Sequence, residues 1–359
     1  MQFNFTKRRE NIRKLMFEKG LDALFINQEA NRFYLSGFEL HDCQPNESSG
    51  YLLLTTSGKD FLLTDSRYEQ AASYLWDVNN IRIYSGDIVK FLQQIFKENG
   101  IRIGFESKSL NYSLVKKLSN NTCGFWLEPA DGIVEKLRCI KDRDEIKALE
   151  KSFALNHKML SWLEDKLKIG TSEKEISWEI EKFFRENGAQ ELAFSNIVAV
   201  AKNGALPHAV PSDAKIKENT SVLVDVGCRV DNYCSDQTRT FWIGDKQLEE
   251  FKSTYALVKK AQDIAIKHMK PGVKLRDVYK YAYSVFEKAK VEKAFTHGLG
   301  HGVGIETHEK PSLSRFANED DVLLKGMVVT VEPGLYYPKW GGVRLEYTVL
   351  VEEDGVRIL

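Results

Sequence analysis

Apolar positions spaced three and four apart from Lys7 to Lys19 predict an amphipathic helix that Gly20 stops, and the apolar run Ala23 to Ile26 predicts a short strand. The same alternation continues. Strands are expected at Tyr51 to Thr55, Phe61 to Thr64, Ile81 to Tyr84 and Ile101 to Phe105, with a helix from Ile88 to Lys97 between the last two. Elements of both kinds in this order bury one another as a mixed sheet with flanking helices. Between Pro129 and Arg143 the pattern changes to long charged amphipathic helices, Asp144 through Leu167 and Glu173 to Phe184. A boundary is therefore expected near Asp131, dividing an α/β (α+β) chain into residues 1–131 and 132–359.

The second part repeats itself. Ala154, Leu155, Lys158, Gly170, Glu175, Ile176 and Phe184 recur 102 positions later as Ala256, Leu257, Lys260, Gly272, Asp277, Val278 and Phe286. Helical periodicity alone reproduces apolar matches, but the glycines at both helix junctions favour duplication. A duplicated unit creates a pseudo-two-fold interior, where polar residues from distant segments converge.

Composition narrows the class. The 359 residues, 43% apolar, exceed what one core of roughly 100 to 200 residues serves, which agrees with two domains. The 51 Lys and Arg balance the 51 Asp and Glu without long blocks of either sign, so no footprint for nucleic acid or an anionic membrane is expected. A small, roughly neutral partner fits better. The start Met1-Gln2-Phe3-Asn4 lacks a secretory pattern and no apolar run approaches the ~18 residues of a membrane span, so the expectation is a soluble, cytoplasmic protein. Five scattered cysteines, Cys43, Cys123, Cys139, Cys228 and Cys234, argue against a disulfide framework or a thiolate zinc site.

Candidate chemistry concentrates after residue 220. Asp225 lies in the apolar run Val222 to Val226, where a carboxylate is costly unless paired or metal-bound. Asp236 follows eleven residues later, a separation that a hairpin could fold into adjacency. The stretch from His297 to Glu309 holds three of the seven histidines, His297, His301 and His308, among glycines that allow close backbone approach to a ligand. Glu332 precedes Pro333-Gly334 and Glu346 ends Gly342-Val343-Arg344-Leu345, each glutamate ending or interrupting an apolar β run. Two aspartates, one imidazole and two glutamates form an oxygen-rich set suited to manganese, cobalt or iron, with zinc also accommodated. Two neighbouring ions need bridging carboxylates of this sort.

With these motifs the chain resembles the creatinase/prolidase/methionine aminopeptidase family, whose catalytic domain has the pita-bread fold. The likeness spans essentially the whole chain. It includes Gly20-Leu21-Asp22-Ala23-Leu24 and Asn31-Arg32-Phe33-Tyr34-Leu35-Ser36-Gly37-Phe38 in the first part, and the helix entry Ile140-Lys141-Asp142-Arg143-Asp144-Glu145-Ile146 in the second. The family's five ligand positions map onto Asp225, Asp236, His301, Glu332 and Glu346. The long N-terminal part and the ending Gly342 to Glu346 resemble the Xaa-Pro enzymes rather than methionine aminopeptidases. Creatinase itself has lost the ligands that this chain keeps.

The resemblance implies a two-metal exopeptidase, manganese being the first expectation, that cuts between an N-terminal residue and a following proline. Asp236 and Glu346 would bridge the ions, with Asp225 completing one site and His301 plus Glu332 the other. Glu332 is the candidate general base. His208 and His308 match positions that steady the intermediate or pass a proton to the proline nitrogen, which must be protonated as the bond breaks. His297 would line the substrate pocket and Arg344 contact substrate or orient a carboxylate. The partners implied are proline-containing peptides and a second copy of the chain in a homodimer, with the loop His41-Asp42-Cys43 as the capping segment. Two departures stand out: Tyr347 follows Glu346 where Asp is common, and Ser312 stands where many relatives have an Arg able to clamp a free proline carboxylate. Aminopeptidase activity on longer chains is therefore expected, Xaa-Pro dipeptidase activity being the alternative unless Arg315 or Lys310 replaces the clamp. A module that has lost catalysis and binds a protein is the third reading.

Overall fold

The first helix begins where the sequence supplies an acceptor. The Asn4 side chain takes the Lys7 N–H at 2.9 Å, and α1 (Phe5–Glu18) runs to the Gly20 turn before β1 (Ala23–Ile26). The computed structural model describes residues 3–42, 47–84, 88–96, 100–120 and 124–359, which divide between Arg138 and Cys139 into two units. In the N-terminal unit there follow α2 (Glu29–Ser36), β2 (Gly50–Thr55), β3 (Phe61–Thr64), α3 (Glu69–Ser73) and β4 (Ile81–Ile83). Then come α4 (Ile88–Ile95), β5 (Ile101–Phe105), α5 (Tyr112–Ser119), β6 (Phe125–Pro129) and α6 (Ile133–Arg138). The strands form one mixed sheet in the order β4-β3-β2-β1-β5-β6, with β1 parallel to β5 and antiparallel to β2. All four residues of β1 are fully buried; since alternate side chains point to opposite faces, both faces of the sheet are covered there.

The division falls one short helix later than Asp131, because α6 packs with α1 and α2 in the N-terminal unit. Helix α2 is buried on every side from Ala30 to Ser36, the polar Asn31 and Arg32 included. Within it the buried Arg32 donates to the Gly50 and Glu39 carbonyls, both at 2.8 Å, and to Asp42 at 2.9 Å. Of the loop expected to cap a neighbour, Asp42 is thus anchored within its own unit, and Cys43, like Cys123, lies outside the described residues. Cys139, Cys228 and Cys234 are buried free thiols.

The C-terminal unit opens with α7 (Arg143–Glu164) and α8 (Glu173–Glu186), each started by a reciprocal capping box, Asp142 with Glu145 and Ser172 with Glu175. Short strands β7 (Glu191–Leu192) and β8 (Ile197–Val200) lead to β9 (Thr220–Val226), β10 (Cys228–Val230), β11 (Tyr233–Cys234) and β12 (Gln237–Ile243). A second helix pair, α9 (Glu249–His268) and α10 (Leu275–Lys288), precedes β13 (Gly300–Gly302), β14 (Glu309–Leu313) and β15 (Val328–Val331). The chain ends with β16 (Gly334–Tyr337), β17 (Gly341–Arg344), β18 (Tyr347–Val351) and β19 (Val356–Ile358).

The repeat appears as matched hydrogen bonds. Gly170 donates to the Ile216 carbonyl at 2.9 Å and Gly272 to the Leu323 carbonyl at 2.8 Å. The reciprocal bonds, Ile216 to Thr171 and Leu323 to Val273, are 2.9 and 2.8 Å, and both glycines take the positive φ, 92° and 86°, that the junction requires. Each helix pair packs on its own apolar cluster: α7 and α8 with Val222, Val224 and Val226 of β9, and α9 and α10 with Leu299, Val331 and Leu345. Among the described residues no helix is long and apolar enough to cross a membrane.

Candidate metal centre

The antiparallel ladder of β9 and β12 sets Thr238 opposite Asp225, so Asp236, two residues before Thr238, projects from the same face. In the other half, β15 and β18 pair down to Val331 with Tyr347, and the next residue outward on each strand is a glutamate, Glu332 and Glu346. β13 lies along β15 and carries His301 to the same place. Glycine is required there: a Cβ on Gly300 would run into the Thr330 carbonyl, and one on Gly302 into the Lys310 carbonyl. Each glutamate's backbone N–H reaches a segment that leads to another ligand. That of Glu332 goes to the Leu299 carbonyl at 2.8 Å and that of Glu346 to the Thr238 carbonyl at 3.1 Å.

The structure brings all five predicted ligands together. One oxygen from each of Asp225, Asp236 and Glu346 lies within 4.8 Å of the others. His301 Nε2 stands 3.2 Å from Glu332 Oε1 and 3.7 Å from Asp236 Oδ2, so Asp236 belongs to both groupings. His301 Nδ1 faces the Gly302 carbonyl at 3.1 Å, which places a proton on Nδ1 and turns Nε2 towards the carboxylates. Thr330 Oγ1 donates to Glu332 at 3.2 Å and accepts the His301 N–H at 3.0 Å, while Thr238 Oγ1 donates to Glu346 at 2.8 Å.

Three buried acids, Asp225, Asp236 and Glu346, and the half-buried Glu332 outnumber Arg344 and His301, an environment that asks for more positive charge. Burial raises the Asp225 carboxyl, with Arg344 opposing; burial and then the neighbouring carboxylates raise Asp236 and Glu346 well above the usual range. Glu332 goes the other way. Burial would raise it too, but the hydrogen bond and charge of His301 outweigh that and hold it at about 2, while the same contact lifts His301 to about 9 against its own burial. Among the described residues, Asp225 Oδ1 and Glu346 Oε1 are buried with no hydrogen-bond donor, and an orphaned carboxylate oxygen costs free energy unless a cation meets it. Hard oxygen donors with one imidazole, two of them unsatisfied, fit divalent cations.

Arg344, expected to contact substrate or to orient a carboxylate, is 3% exposed, and its guanidinium donates to Asp225 Oδ2 at 2.6 Å, the Tyr336 hydroxyl at 2.8 Å, Thr238 at 3.0 Å and the Pro207 carbonyl at 3.2 Å. Those contacts orient a carboxylate. Tyr336, which sequence reasoning missed, joins Arg344 to His297 Nε2 at 2.8 Å, and burial pushes its hydroxyl up to about 12. His297 also faces the Gly298 carbonyl at 2.7 Å, and burial lowers its pKa.

A cavity of about 650 Å³ opens over the carboxylates. Exposed His208 and His308 line it, His308 with its ring centroid 4.1 Å from that of His301; apolar walls come from Phe194, Ile197, Pro207 and Val210. Burial and the His301 charge lower the His308 pKa, so its imidazole is neutral near pH 7. Ser312 lies at the cavity's edge, opposite His301 in the β13–β14 ladder. Neither Arg315 nor Lys310 lines the cavity; Arg315 lies 4.6 Å over the Phe316 ring.

Two family models match the chain: "Creatinase/Prolidase N-terminal domain" over residues 8–140 and "Metallopeptidase family M24" over residues 147–353. The chain is 32% identical over 355 residues to a Xaa-Pro dipeptidase of Pyrococcus horikoshii, covering 98% of this chain and 96% of that protein. Among solved structures it is similar to a Xaa-Pro dipeptidase from Bacillus anthracis, with a TM-score of 0.89, 32% identity and coverage of 99% and 97%. It is also similar to an X-Pro aminopeptidase from Thermotoga maritima, with a TM-score of 0.86, 30% identity and coverage of 98% and 96%.

Proposed function

Because the chain belongs to metallopeptidase family M24, with a creatinase/prolidase domain before it, we propose that it is a metal-dependent Xaa-Pro dipeptidase, releasing one residue from a proline whose carboxylate is free. The observation that carries the choice of substrate is the match, over nearly the full length of both chains, to proteins named Xaa-Pro dipeptidase. This reverses the order of the two activities expected from Ser312.

Asp225, Asp236, His301, Glu332 and Glu346 would hold two divalent ions, manganese before cobalt, iron or zinc, with Asp236 and Glu346 shared. When bound, the pair supplies Lewis acidity for the scissile carbonyl and lowers the pKa of a water towards ~7. The residues divide the remaining work. Glu332 Oε1 is engaged by Thr330 and His301, which leaves Oε2 to take a proton. Neutral His308 donates an N–H to the carbonyl oxygen, and His208 at the rim serves the proline nitrogen, which needs a proton to leave. Phe194, Ile197 and Val210 offer the proline ring an apolar wall, and His297, fixed by Tyr336, closes the pocket beneath it.

One observation favours aminopeptidase activity instead. Among the described residues, Arg344 is the one guanidinium lining the cavity, and it is committed to Asp225, so a dipeptide carboxylate would rely on imidazole N–H groups and the Ser312 hydroxyl. The deciding experiment compares kcat/KM for a Xaa-Pro dipeptide with that for the same residues extended at the C-terminus, each with manganese, cobalt, iron and zinc. Preference for the dipeptide supports the proposal. Preference for the extended peptide makes the chain an aminopeptidase, and turnover of neither leaves only the binding module.

A further inference from the structure

The two glutamates sit where the strand ladder fails. β15 and β18 pair as far as Val331 with Tyr347, and pairing resumes between β16 and β17 at Gly334 with Arg344. In between, Pro333 has no N–H to give, the N–H groups of Glu332 and Glu346 point outward to Leu299 and Thr238, and the one backbone bond across the gap is a long one, from the Leu345 N–H to the Pro333 carbonyl at 3.4 Å. Across that gap α9 sends Gln262, 1% exposed, whose Nε2 donates to the Val331 carbonyl at 3.0 Å and to the Leu345 carbonyl at 2.9 Å. A carboxamide nitrogen has two hydrogens, and here both are used, one on each side of the break. The carbonyls it holds belong to the residues immediately before Glu332 and Glu346.

Resting on the two-metal reading above, we propose that Gln262 is a positioning residue of the metal centre: its amide fixes the spacing of Glu332 and Glu346, and so the affinity for an ion between them. The other half shows why this tie matters more than a buried hydrogen bond in general. There Asn156 Nδ2 holds the Val226 carbonyl at 3.0 Å, next to Asp225, but the ladder of β9 and β12 runs unbroken through Asp225, so strand pairing already sets the place of that ligand. Gln262 spans the segment where strand pairing is reduced to the single long bond from Leu345 to Pro333.

The test uses the full chain stripped of metal. Gln262→Met keeps length and apolar packing while removing both donors, and Asn156→Ala removes the matched bond from the other half. Cobalt(II) is titrated into each and followed by visible absorption and by elemental ion counts, with circular dichroism to establish folding. Gln262→Met is expected to bind its weaker ion about 10–100-fold less tightly, and to lose kcat with little change in KM, while Asn156→Ala melts earlier but binds as the wild type does. Two ions bound by Gln262→Met with wild-type affinity, or equal weakening in both variants, would overturn the inference. If Gln262→Met does not fold, Gln262→Asn, an amide one methylene short of spanning the gap, is titrated instead; failure of both to fold would overturn it as well, since the amide would then serve the fold. A wild type that takes up fewer than two ions sinks the two-metal reading itself, a distinguishable result.

Discussion

Replacing Arg344 with Met should destabilise the metal-free protein far more than the metal-loaded one. The guanidinium is buried and faces Asp225 at 2.6 Å, and the other oxygen of that carboxylate is buried without a hydrogen-bond partner among the described residues. Met keeps much of the packing of the arginine stem but removes the charge. Breaking a buried ion pair by removing one partner costs about 3–5 kcal/mol, because the remaining charge is left in a low-dielectric interior. For a unit of this size, each kcal/mol moves the melting temperature by roughly 2–4 °C, so the stripped variant should melt on the order of 10 °C below the stripped wild type. Bound dications beside Asp225 would replace the lost countercharge, so the loaded variant should lose less. Linkage then requires the variant to bind its first ion more tightly than the wild type does, even as misplacement of Asp225 lowers kcat. Calorimetric melting of both proteins, with chelator and with saturating manganese, checks this. A stripped variant that melts within about 2 °C of wild type, or one that loses as much loaded as stripped, would refute the assignment of Arg344 as the countercharge of Asp225.

Asp225→Asn should leave the fold largely intact and empty the site of at least one ion; full occupancy by elemental analysis with normal turnover would remove Asp225 from the ligand set. The metal-free protein should lose stability between pH 7 and 9. His301, held protonated up to about 9 by Glu332, contributes stability that is present below its unfolded value of ~6.5 and lost as pH rises towards 9, whereas Glu332, held at about 2, contributes evenly across that range. The lowered imidazoles of His297 and His308 act in the opposite sense, but only below ~6.5, so a melting temperature that rises from pH 7 to 9 in chelator would contradict the His301–Glu332 pairing.

The ligands were legible because each breaks a rule of its surroundings: a carboxylate in an apolar strand, or histidine among glycines. Thr238, Thr330 and Tyr336 break none. A threonine in a strand is ordinary, and its role shows only once register places Thr238 beneath Glu346 and Thr330 beside Glu332. Period-two spacing could have flagged both, since Thr238 and Thr330 each lie two residues from a ligand and so share its face. Tyr336 could not have been found that way, because its partners His297 and Arg344 reach it from elsewhere in the fold. In the N-terminal unit the amphipathic helix and the strands around the sheet were readable, whereas α2 was not predicted, and the burial of its polar Asn31 and Arg32 depends on packing that the sequence pattern does not show. Arg344 was visible as a residue of interest, but whether an arginine faces a ligand or a substrate depends on packing depth, which spacing does not encode.

The duplicated architecture also bears on the order of folding. Asp225 and Asp236 belong to a sheet packed on α7 and α8, while His301, Glu332 and Glu346 belong to the half built on α9 and α10, each half having its own apolar cluster. Each half can therefore condense on contacts nearby in sequence, before the contacts between ligands far apart in the chain, such as Asp225 and Glu346, are made. No half alone offers the full ligand set. The ions thus cannot nucleate the chain as zinc nucleates a finger; they engage after the halves have met. Interactions absent until that late stage leave the folding rate untouched and slow the reverse reaction, so bound metal would act as a kinetic lock on the seam between the halves.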